Sequence, residues 1–395
     1  MKQIGNIATS ERVHIGFYGR CNSGKSSLIN AIAGQEVSIV SEQAGTTTDS
    51  VAKNIELPGV GAAVLIDTAG FDDDTLLGQQ RVASTRQAMM KTDVAVMLLS
   101  GVDVVIEQPW LKDFQQKNIP VIGVVAKSDL LSDKDLIAKE ITAKLDIPLI
   151  HVSAKTGEGI VALLKQIALF YKSEYRLLTE GMCQRGDTVI LVMPQDNQAP
   201  KGRLIKPQVE VLRELLDKKC VAICCDEENY ETTLASLKTV PQLIIADSQF
   251  FKSVYEKTPN GVAVTSFSIL FARQRGDINL FVDGAEVIAS LTENSRVLIA
   301  EACSHIPQNE DIGRVKLPRM LRKYVGENLS IYVVGGNDFP RDLTQYDLVI
   351  HCGACMFNRR HVMSRVAQAV EQNVPMTNYG VAIAFLNGIL DNVVY

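Results

Sequence analysis

The sequence lacks several features that would take it out of the soluble globular class. No uncharged apolar run approaches the roughly 18 residues of a membrane-spanning helix, so we expect no membrane partner. The first residues do not combine a charged start with a long apolar run, so no signal peptide is expected. Low-complexity tracts and short-period repeats are also missing. Together these absences predict a cytoplasmic globular protein.

An excess of positive charge is missing as well. The 395 residues carry 40 Lys and Arg against 45 Asp and Glu, a formal net charge of −5. Proteins that wrap nucleic acid usually carry a basic surface, so no nucleic-acid partner is expected. The local basic run Arg359-Arg360-His361 is short, and three such residues usually form a solvated face.

The length exceeds what one ordinary hydrophobic core covers, which predicts two or three domains. Apolar runs alternate with helical patterns along the chain, which is typical of parallel sheets with crossover helices. We therefore expect an α/β protein of three domains: a first domain with a mostly parallel sheet, then two smaller α/β domains. The predicted bounds are 1–172, a linker over 173–186, 187–266 and 267–395.

The same pattern predicts individual elements. The predicted strands are 12–18, 63–67, 94–99, 121–126, 149–152, 187–193, 220–224, 242–246, 296–300, 330–334 and 348–351. The predicted helices are 25–33, 207–219 and 248–257, with a helical connector over 171–186. Cys220, Cys224 and Cys225 are expected to be small apolar residues on a buried strand.

One short segment matches a phosphate-binding loop. Residues Gly19–Ser26 read G-R-C-N-S-G-K-S, which fits G-x-x-x-x-G-K-S/T between a predicted strand and a predicted helix. Glycines allow backbone N–H groups to face phosphate oxygens, and the start of the helix adds its dipole. Lys25 is expected to reach the outer phosphates, and the Ser26 hydroxyl is expected to hold Mg²⁺.

Two further motifs supply the groups that contact a γ-phosphate and its metal ion. Asp67-Thr68-Ala69-Gly70 ends a predicted strand, where Asp67 can hold the Mg²⁺ shell and the Gly70 N–H can contact the γ-phosphate. The segment Gly45–Asp49 supplies a switch-loop threonine, Thr47, as a second Mg²⁺ ligand. The residues expected to take part in hydrolysis are Lys25, Ser26, Thr47, Asp67 and Gly70.

Two last motifs identify the base. Ala126-Lys127-Ser128-Asp129 closes a predicted strand and places a carboxylate where it can pair with guanine. Ser153-Ala154-Lys155 follows the next strand and can support the base. Five motifs in this order predict a P-loop GTPase domain. The residues expected to bind GTP are Gly19, Asn22, Ser23, Gly24, Lys25, Ser26, Ser27, Lys127, Asp129, Ser153, Ala154 and Lys155.

The G-T-T-x-D loop and the D-T-A-G motif resemble those of the TrmE–Era group of bacterial GTPases. By this resemblance Asn22 occupies the position at which potassium-dependent members coordinate K⁺, so activation by K⁺ is a hypothesis. Phe71 stands where Ras-like enzymes carry a water-orienting Gln, so slow unaided hydrolysis is expected. Ala126 replaces the Asn of N-K-x-D, which removes one base contact and leaves guanine selectivity to Asp129.

A second group of candidate ligands lies near the C-terminus. Cys303-Ser304-His305 and His351-Cys352-Gly353-Ala354-Cys355 each follow a predicted strand, where open α/β sheets usually form their sites. Three thiolates and one or two imidazoles can surround one metal centre. A structural Cys₃His zinc fits these ligand types. An iron–sulfur cluster with three Cys ligands, and His or an exchangeable group at the fourth iron, fits them as well.

The order of a GTPase domain, an α/β domain and a C-x-H…H-C-x-x-C signature resembles the HydF family of [FeFe]-hydrogenase maturation GTPases over the whole chain. The resemblance implies that Cys303, Cys352 and Cys355 bind a [4Fe-4S] cluster, with His305 or His351 near the fourth iron. It also implies a homodimer, formed through 187–266, that acts as scaffold and carrier. Such a protein receives a di-iron precursor made with two radical-SAM maturases and hands it to the apo-[FeFe]-hydrogenase.

Two other hypotheses remain open at this point. One is a ribosome- or tRNA-associated GTPase whose structural zinc domain grips RNA. The other is an assembly protein with a structural zinc that transfers no metal. Iron, sulfide and zinc content separate the [4Fe-4S] hypothesis from both.

Overall fold

The computed structural model describes residues 12–34, 51–72, 76–131, 133–171, 176–194, 204–302, 311–336, 338–354 and 357–395. The chain divides into two compact units, Met1–Glu174 and Tyr175–Tyr395. Within the ranges just given, no helix is both long and apolar enough to cross a membrane.

The first unit contains a six-stranded sheet flanked by helices. Its elements are β1 (Val13–Gly19), α1 (Lys25–Gly34), β2 (Val51–Leu57), β3 (Gly61–Asp67), α2 (Leu76–Lys91), β4 (Val94–Leu99), α3 (Glu107–Gln116), β5 (Val121–Ala126), α4 (Lys134–Thr142), β6 (Leu149–Val152) and α5 (Ile160–Phe170). The strand order is β2-β3-β1-β4-β5-β6. All neighbours are parallel except β2, which pairs antiparallel with β3 at the edge.

The central strands of this sheet are apolar on both faces. Every residue of β1 and β4 is buried. In β4, Val94, Val96 and Leu98 join one core cluster and Ala95, Met97 and Leu99 join the other. Successive strand residues face opposite sides, so helices on both sides of a parallel sheet require a continuous apolar run. Because these strands run parallel, they end at the same edge of the sheet, where the motif residues lie.

The second unit contains two four-stranded sheets. Its first part comprises β7 (Thr188–Val192), α6 (Lys206–Asp217), β8 (Val221–Cys225), α7 (Tyr230–Ser236), β9 (Leu243–Ala246), α8 (Phe251–Lys257), β10 (Ala263–Ser266) and α9 (Phe267–Arg275). Its second part comprises α10 (Ile278–Glu286), β11 (Arg296–Ala300), α11 (Leu317–Val325), β12 (Ser330–Val334), β13 (Leu348–His351), α12 (Arg359–Glu371), β14 (Met376–Asn378) and α13 (Tyr379–Leu386). The strand orders are β10-β9-β7-β8 and β12-β11-β13-β14, and all pairs are parallel. One core cluster includes strand residues of both sheets, such as Ile190 and Leu298, together with Phe281 of α10.

The predicted α/β class with mostly parallel sheets is confirmed, and every predicted strand is present. Strands β4, β5, β6, β11, β12 and β13 have the predicted bounds. Three strands escaped prediction: β2, β10 and β14. β10 and β14 have four and three residues, but length alone did not decide this, since the four-residue strands β6 and β13 were predicted. The proposed domain boundaries stay a prediction.

Two expectations are wrong. The predicted helical connector over 171–186 has no helix among its described residues, because the Glu214 carboxylate accepts the N–H groups of Leu178 and Thr179 at 2.6 and 2.8 Å. Strand β8 lies at a sheet edge rather than in a buried position. Its Cys224 is exposed and its Cys225 is half-buried, so of the three cysteines in this region only Cys220 is buried.

Candidate functional site

The loop between β1 and α1 has the shape that its sequence predicts. Gly19, Asn22 and Gly24 adopt positive φ values of 151°, 57° and 101°. Such values are accessible to glycine and tolerated by asparagine. The loop closes through the Ser23 N–H, which donates to the Arg20 carbonyl at 3.2 Å, and α1 begins at Lys25. The first turn of α1 therefore lies at the end of the loop, where its backbone N–H groups favour an anion.

The Lys25 side chain lies within this loop. Its Nζ donates to the carbonyl oxygens of Gly19 and Arg20 at 3.1 and 2.9 Å, and the residue is buried. Burial lowers the pKa of Lys25. The hydrogen bonds of the ammonium go to neutral carbonyl oxygens, while the nearby Asp67 and Asp72 carboxylates favour its charged form. A phosphate oxygen can replace these carbonyls as a stronger, anionic acceptor.

The candidate Mg²⁺ ligands of α1 and β3 are in contact. Ser26 Oγ donates to Asp67 Oδ2 at 2.6 Å. The other carboxylate oxygen, Asp67 Oδ1, is buried and has no hydrogen-bond partner among the described residues. An unpaired buried carboxylate oxygen is costly, so this pair is suited to a hard cation. Thr47, the other Mg²⁺ ligand expected from the sequence, lies outside the described residues.

The residues after β3 approach the phosphate loop closely. A Cβ atom at Gly70 would lie 2.7 Å from the Cys21 nitrogen, so only glycine fits there. The Asp72 carboxylate accepts the Cys21 N–H at 2.6 Å, a contact that the sequence did not indicate. The Phe71 ring turns away from the loop and stacks on Trp110, with ring centroids 4.5 Å apart. Phe71 therefore supplies packing and no polar group at the phosphate end.

A cavity of about 420 Å³ lies beside the loop at the ends of β5 and β6. Its lining includes Gly24, Ser27, Lys127, Asp129, Ala154 and Lys155. Most of the predicted base-binding residues thus meet around one space. Leu28, Leu130 and Val152 add apolar surface of the kind that a purine ring can contact.

Hydrogen bonds orient the polar groups at this cavity. Ser153 Oγ donates to Asp129 Oδ1 at 2.7 Å, and this bond lowers the pKa of the Asp129 carboxyl. Lys127 Nζ donates to the Asn22 carbonyl at 3.0 Å and so ties the base motif to the phosphate loop. Asn22 itself is exposed, and its role toward K⁺ stays a prediction.

The second candidate site lies at the carboxyl edge of the sheet β12-β11-β13-β14. Cys352 directly follows β13. Its N–H donates a hydrogen bond of 2.9 Å to the carbonyl oxygen of Ala300, the last residue of β11. The Cys352 Sγ accepts N–H groups from Ala302 and Ala354 at 3.0 and 3.4 Å. Two backbone donors on one sulfur favour its thiolate form, the form that ligates metals.

The other expected thiolate ligands, Cys303 and Cys355, lie outside the described residues, as does His305. Within the part of the chain that the structure describes, no group of three metal-binding side chains is present. Ala302, the last described residue before this gap, donates its N–H to the Cys352 sulfur.

His351 ends β13 and is buried. Its Nδ1 bonds the Cys352 carbonyl at 2.8 Å, and its Nε2 bonds Arg365 Nη1 at 2.9 Å. Because Arg365 can only donate, Nε2 accepts and the proton lies on Nδ1. Burial and the neighbouring guanidinium lower the pKa of His351 to about 3, so the ring is neutral. Arg365 was not indicated by any motif.

A buried polar group borders the same edge. Glu301 directly follows β11 and pairs with Arg314 at 3.0 Å. The Tyr379 hydroxyl is buried and has no hydrogen-bond partner among the described residues. A Cβ atom at Gly313 would lie 2.0 Å from this hydroxyl and 2.8 Å from Glu301 Oε1. The close approach of these groups explains why position 313 is glycine.

The short basic run does not form an exposed basic surface. Arg359 is half-buried, and its Nη1 donates to the carbonyls of Gln274 and Gly276 at 3.1 and 2.7 Å. His361 is buried and stacks on Phe357, with ring centroids 3.7 Å apart. These side chains support the start of α12.

Relatives among curated proteins each match about two fifths of this chain. The tRNA modification GTPase MnmE of Endomicrobium trichonymphae is 38% identical over 186 residues, covering 42% of this chain and 39% of that protein. GTPase Der of Clostridium acetobutylicum is 29% identical over 186 residues, covering 44% and 42%. The chain thus spans about two fifths of the length of these relatives.

Similar solved structures cover between two fifths and just over half of this chain. The G domain of the T. maritima FeoB iron transporter has a TM-score of 0.32 and 24% identity, covering 40% of this chain and 98% of that one. An Aquifex aeolicus Era variant bound to GDP and AlF₄⁻ has a TM-score of 0.36 and 20% identity, covering 54% and 92%.

Three family models match the chain in succession. Residues 14–127 match the 50S ribosome-binding GTPase model. Residues 178–276 match the hydrogen maturase F dimerization domain, and residues 279–395 match the hydrogen maturase F tetramerization domain. A GTPase domain followed by both of these domains shows that the chain belongs to the hydrogen maturase F family.

Proposed function

We propose that this protein is a GTP-hydrolysing scaffold that binds a [4Fe-4S] cluster and assembles or delivers the di-iron precursor of the hydrogenase active site to the apo-[FeFe]-hydrogenase. The observation that carries the proposal is the presence, behind a GTPase domain, of both hydrogen maturase F domains. The two radical-SAM maturases and a cytoplasmic location are parts of the same proposal.

The geometry of the first unit supports binding of GTP with Mg²⁺. Lys25, now bonded to two loop carbonyls, would exchange these for β- and γ-phosphate oxygens. Ser26 and Asp67 would hold Mg²⁺, which neutralises charge on the phosphates. Asp129 would accept the N1–H and 2-amino groups of guanine, with its orientation set by Ser153.

The same geometry supports slow hydrolysis. The side chain after D-T-A-G belongs to Phe71, which packs on Trp110 and offers no hydrogen bond to an attacking water. A slow unaided rate is suited to a timing role, in which the nucleotide state governs association with a partner. Activation by K⁺ through Asn22 belongs to this part of the proposal.

Of the three proposed thiolate ligands in the second unit, the structure describes Cys352, and the surroundings of this residue fit a thiolate-bound cluster. The Cys352 sulfur accepts two backbone N–H groups, as expected of a thiolate ligand. Cys303 and Cys355 would complete the thiolate set, with His305 or His351 as candidates near the fourth iron. A cluster with three protein thiolates supplies one iron at which a second unit can attach and from which it can leave.

Self-association is the third part of the proposal, as the names of the two matched domains suggest. Strand β8 supports it, because this edge strand lies within the dimerization-domain match and exposes 53% of Val221. An exposed apolar edge strand is a template for pairing with another chain. A homodimer formed through this region is therefore expected.

Metal analysis tests the proposal against the zinc alternatives. The protein is purified without oxygen, reconstituted with iron and sulfide, and analysed for iron, sulfide and zinc. About four irons and four sulfides per chain in a brown protein are expected. A colourless protein with one zinc would reject the cluster and favour a ribosome- or tRNA-associated GTPase or a zinc assembly protein.

A second experiment tests delivery itself. Apo-[FeFe]-hydrogenase is mixed with the loaded protein after the latter has been exposed to the two radical-SAM maturases, and hydrogen production is measured. Activity that appears only with protein from that mixture supports a carrier. Equal activity without this protein would exclude it.

A further inference from the structure

Arg365 of α12 is the largest fully buried side chain among the described residues. Its guanidinium carbon lies 4.6 Å from the ring centroid of Phe339 and 4.7 Å from that of Phe357. Such contacts stabilise a cation, but by far less than the hydration it has lost. The buried guanidinium therefore needs a nearby negative charge to offset the hydration that it has lost.

No carboxylate within the described residues supplies it. Arg365 donates to His351 Nε2 and to the Gly336 carbonyl, both neutral acceptors, and its Nε has no partner there. The same unit offers a comparison, an arginine whose buried charge is paired with a carboxylate. Arg275 is also buried, and it donates to the Ala354 carbonyl at 2.7 Å while pairing with Glu210 at 3.2 Å.

Among the described residues, the side chain linked to Arg365 that can become an anion is Cys352. The path runs from Arg365 to His351 Nε2, and from His351 Nδ1 to the carbonyl of Cys352. A thiolate at Cys352 is favourable to the Arg365 cation. A cluster held by three thiolates is an anion that stays in place, so it can compensate a fixed buried cation.

We propose that Arg365 is a positioning residue for the cluster: its buried guanidinium balances the negative charge of the thiolate-ligated centre and, through His351, holds the turn that presents Cys352. The inference rests on the proposed function. It also assigns His351 a supporting role rather than a ligating one, because both of its ring nitrogens are already bonded. Ligands that are fixed by such hydrogen bonds are the rule at protein metal sites.

Packing alone makes a different prediction. If Arg365 only fills the space between Phe339 and Phe357, its replacement destabilises the cluster-free and cluster-loaded proteins equally. If it balances the cluster, the loaded protein loses more stability, because the cluster-free protein is relieved of an uncompensated cation. The two roles therefore separate in a comparison of the same variants with and without the cluster.

The test uses the full chain with Arg365→Met, Arg365→Lys and, as a control, Arg319→Met at an exposed position of α11. Three quantities are measured: the unfolding midpoint with and without cluster, the reduction potential by electron paramagnetic resonance titration, and the lifetime of the cluster against an iron chelator. Arg365→Met is expected to lower the potential and to shorten the lifetime by about tenfold. Its stability loss should be concentrated in the loaded form.

Arg365→Lys keeps the charge but loses the planar fork, so its potential should stay near that of the wild type while its cluster lifetime falls. If Arg365→Met does not fold, the test relies on Arg365→Lys. Equal potentials in Arg365→Met, Arg319→Met and the wild type would overturn the proposal, as would a potential in Arg365→Lys as low as in Arg365→Met. A wild-type protein that holds no cluster would instead reject the proposed function itself.

Discussion

The nucleotide site and the cysteine site both lie where parallel strands end, but they are built from different groups. In the first unit the cation at the candidate phosphate site is Lys25, whose ammonium donates hydrogen bonds only to carbonyl oxygens. In the second unit Arg365, whose charge interacts with Cys352, is buried and lies close to two aromatic rings.

This difference suits ligands that stay bound for different lengths of time. A nucleotide must enter, react and leave, so its charges are met by groups that can return to neutral partners between cycles. A metal cluster stays bound, so a permanently buried charge can be placed beside it at no repeated cost of desolvation. The following predictions test whether the two sites are as separate as this comparison implies.

The largest effect is expected at the phosphate loop. Lys25→Ala removes the cation that meets the developing phosphate charge, so GTP turnover should fall by about 100-fold or more. Cluster content should stay unchanged. Phosphate release and iron content are measured on the same preparations, and Lys165→Ala, on the exposed face of α5, is the control. Wild-type maturation of hydrogenase in cells carrying Lys25→Ala would show that GTP does not gate delivery.

The reciprocal change is Cys352→Ser. Loss of the thiolate that accepts two backbone N–H groups should release most of the iron, while GTP affinity stays at the wild-type value. Iron analysis and nucleotide titration report the two results. Cys224→Ser, at an exposed thiol of β8, should retain the cluster. A large change in GTP affinity on Cys352→Ser would break the separation of the two sites.

A smaller effect is expected at the base. Asp129→Asn replaces a carboxylate acceptor with an amide, so GTP affinity should fall by about 10- to 100-fold, the range of a charge-assisted hydrogen bond. Affinity for xanthosine triphosphate should rise, since the amide can donate to the xanthine 2-oxygen. Competition titrations with both nucleotides measure this, and unchanged selectivity would remove Asp129 from the base site.

The smallest effect concerns pH. The Ser153 hydroxyl lowers the pKa of Asp129, so the carboxylate stays ionised, and guanine binding is lost only as pH falls through that lowered pKa. Ser153→Ala should move the loss of GTP affinity to a higher pH, toward the ordinary Asp pKa of about 3.9. Affinity is measured from neutral to acid pH, with Thr142→Ala removing an exposed hydroxyl as control. Superimposable profiles would contradict the assignment.

Local patterns predicted the fold best where a strand is rich in apolar residues. The uniformly apolar β4 and β5 follow the sequence with their predicted bounds, because strands covered on both faces must be apolar throughout. The three-residue β14 was missed because its pairing with β13 depends on a distant segment. The expected connector helix was wrong because Glu214, a side chain from another element, takes its backbone N–H groups.

The amino-acid sequence alone was enough to predict the nucleotide site, because a phosphate loop is made of consecutive residues whose glycines and lysine act through local backbone geometry. It also determined which cysteines follow strands of one sheet. Only the tertiary structure decided that His351 has both nitrogens engaged and that an arginine 14 residues away lies buried against it. Burial and the absence of a carboxylate partner within the described residues depend on elements that meet only after folding, and no linear motif records them.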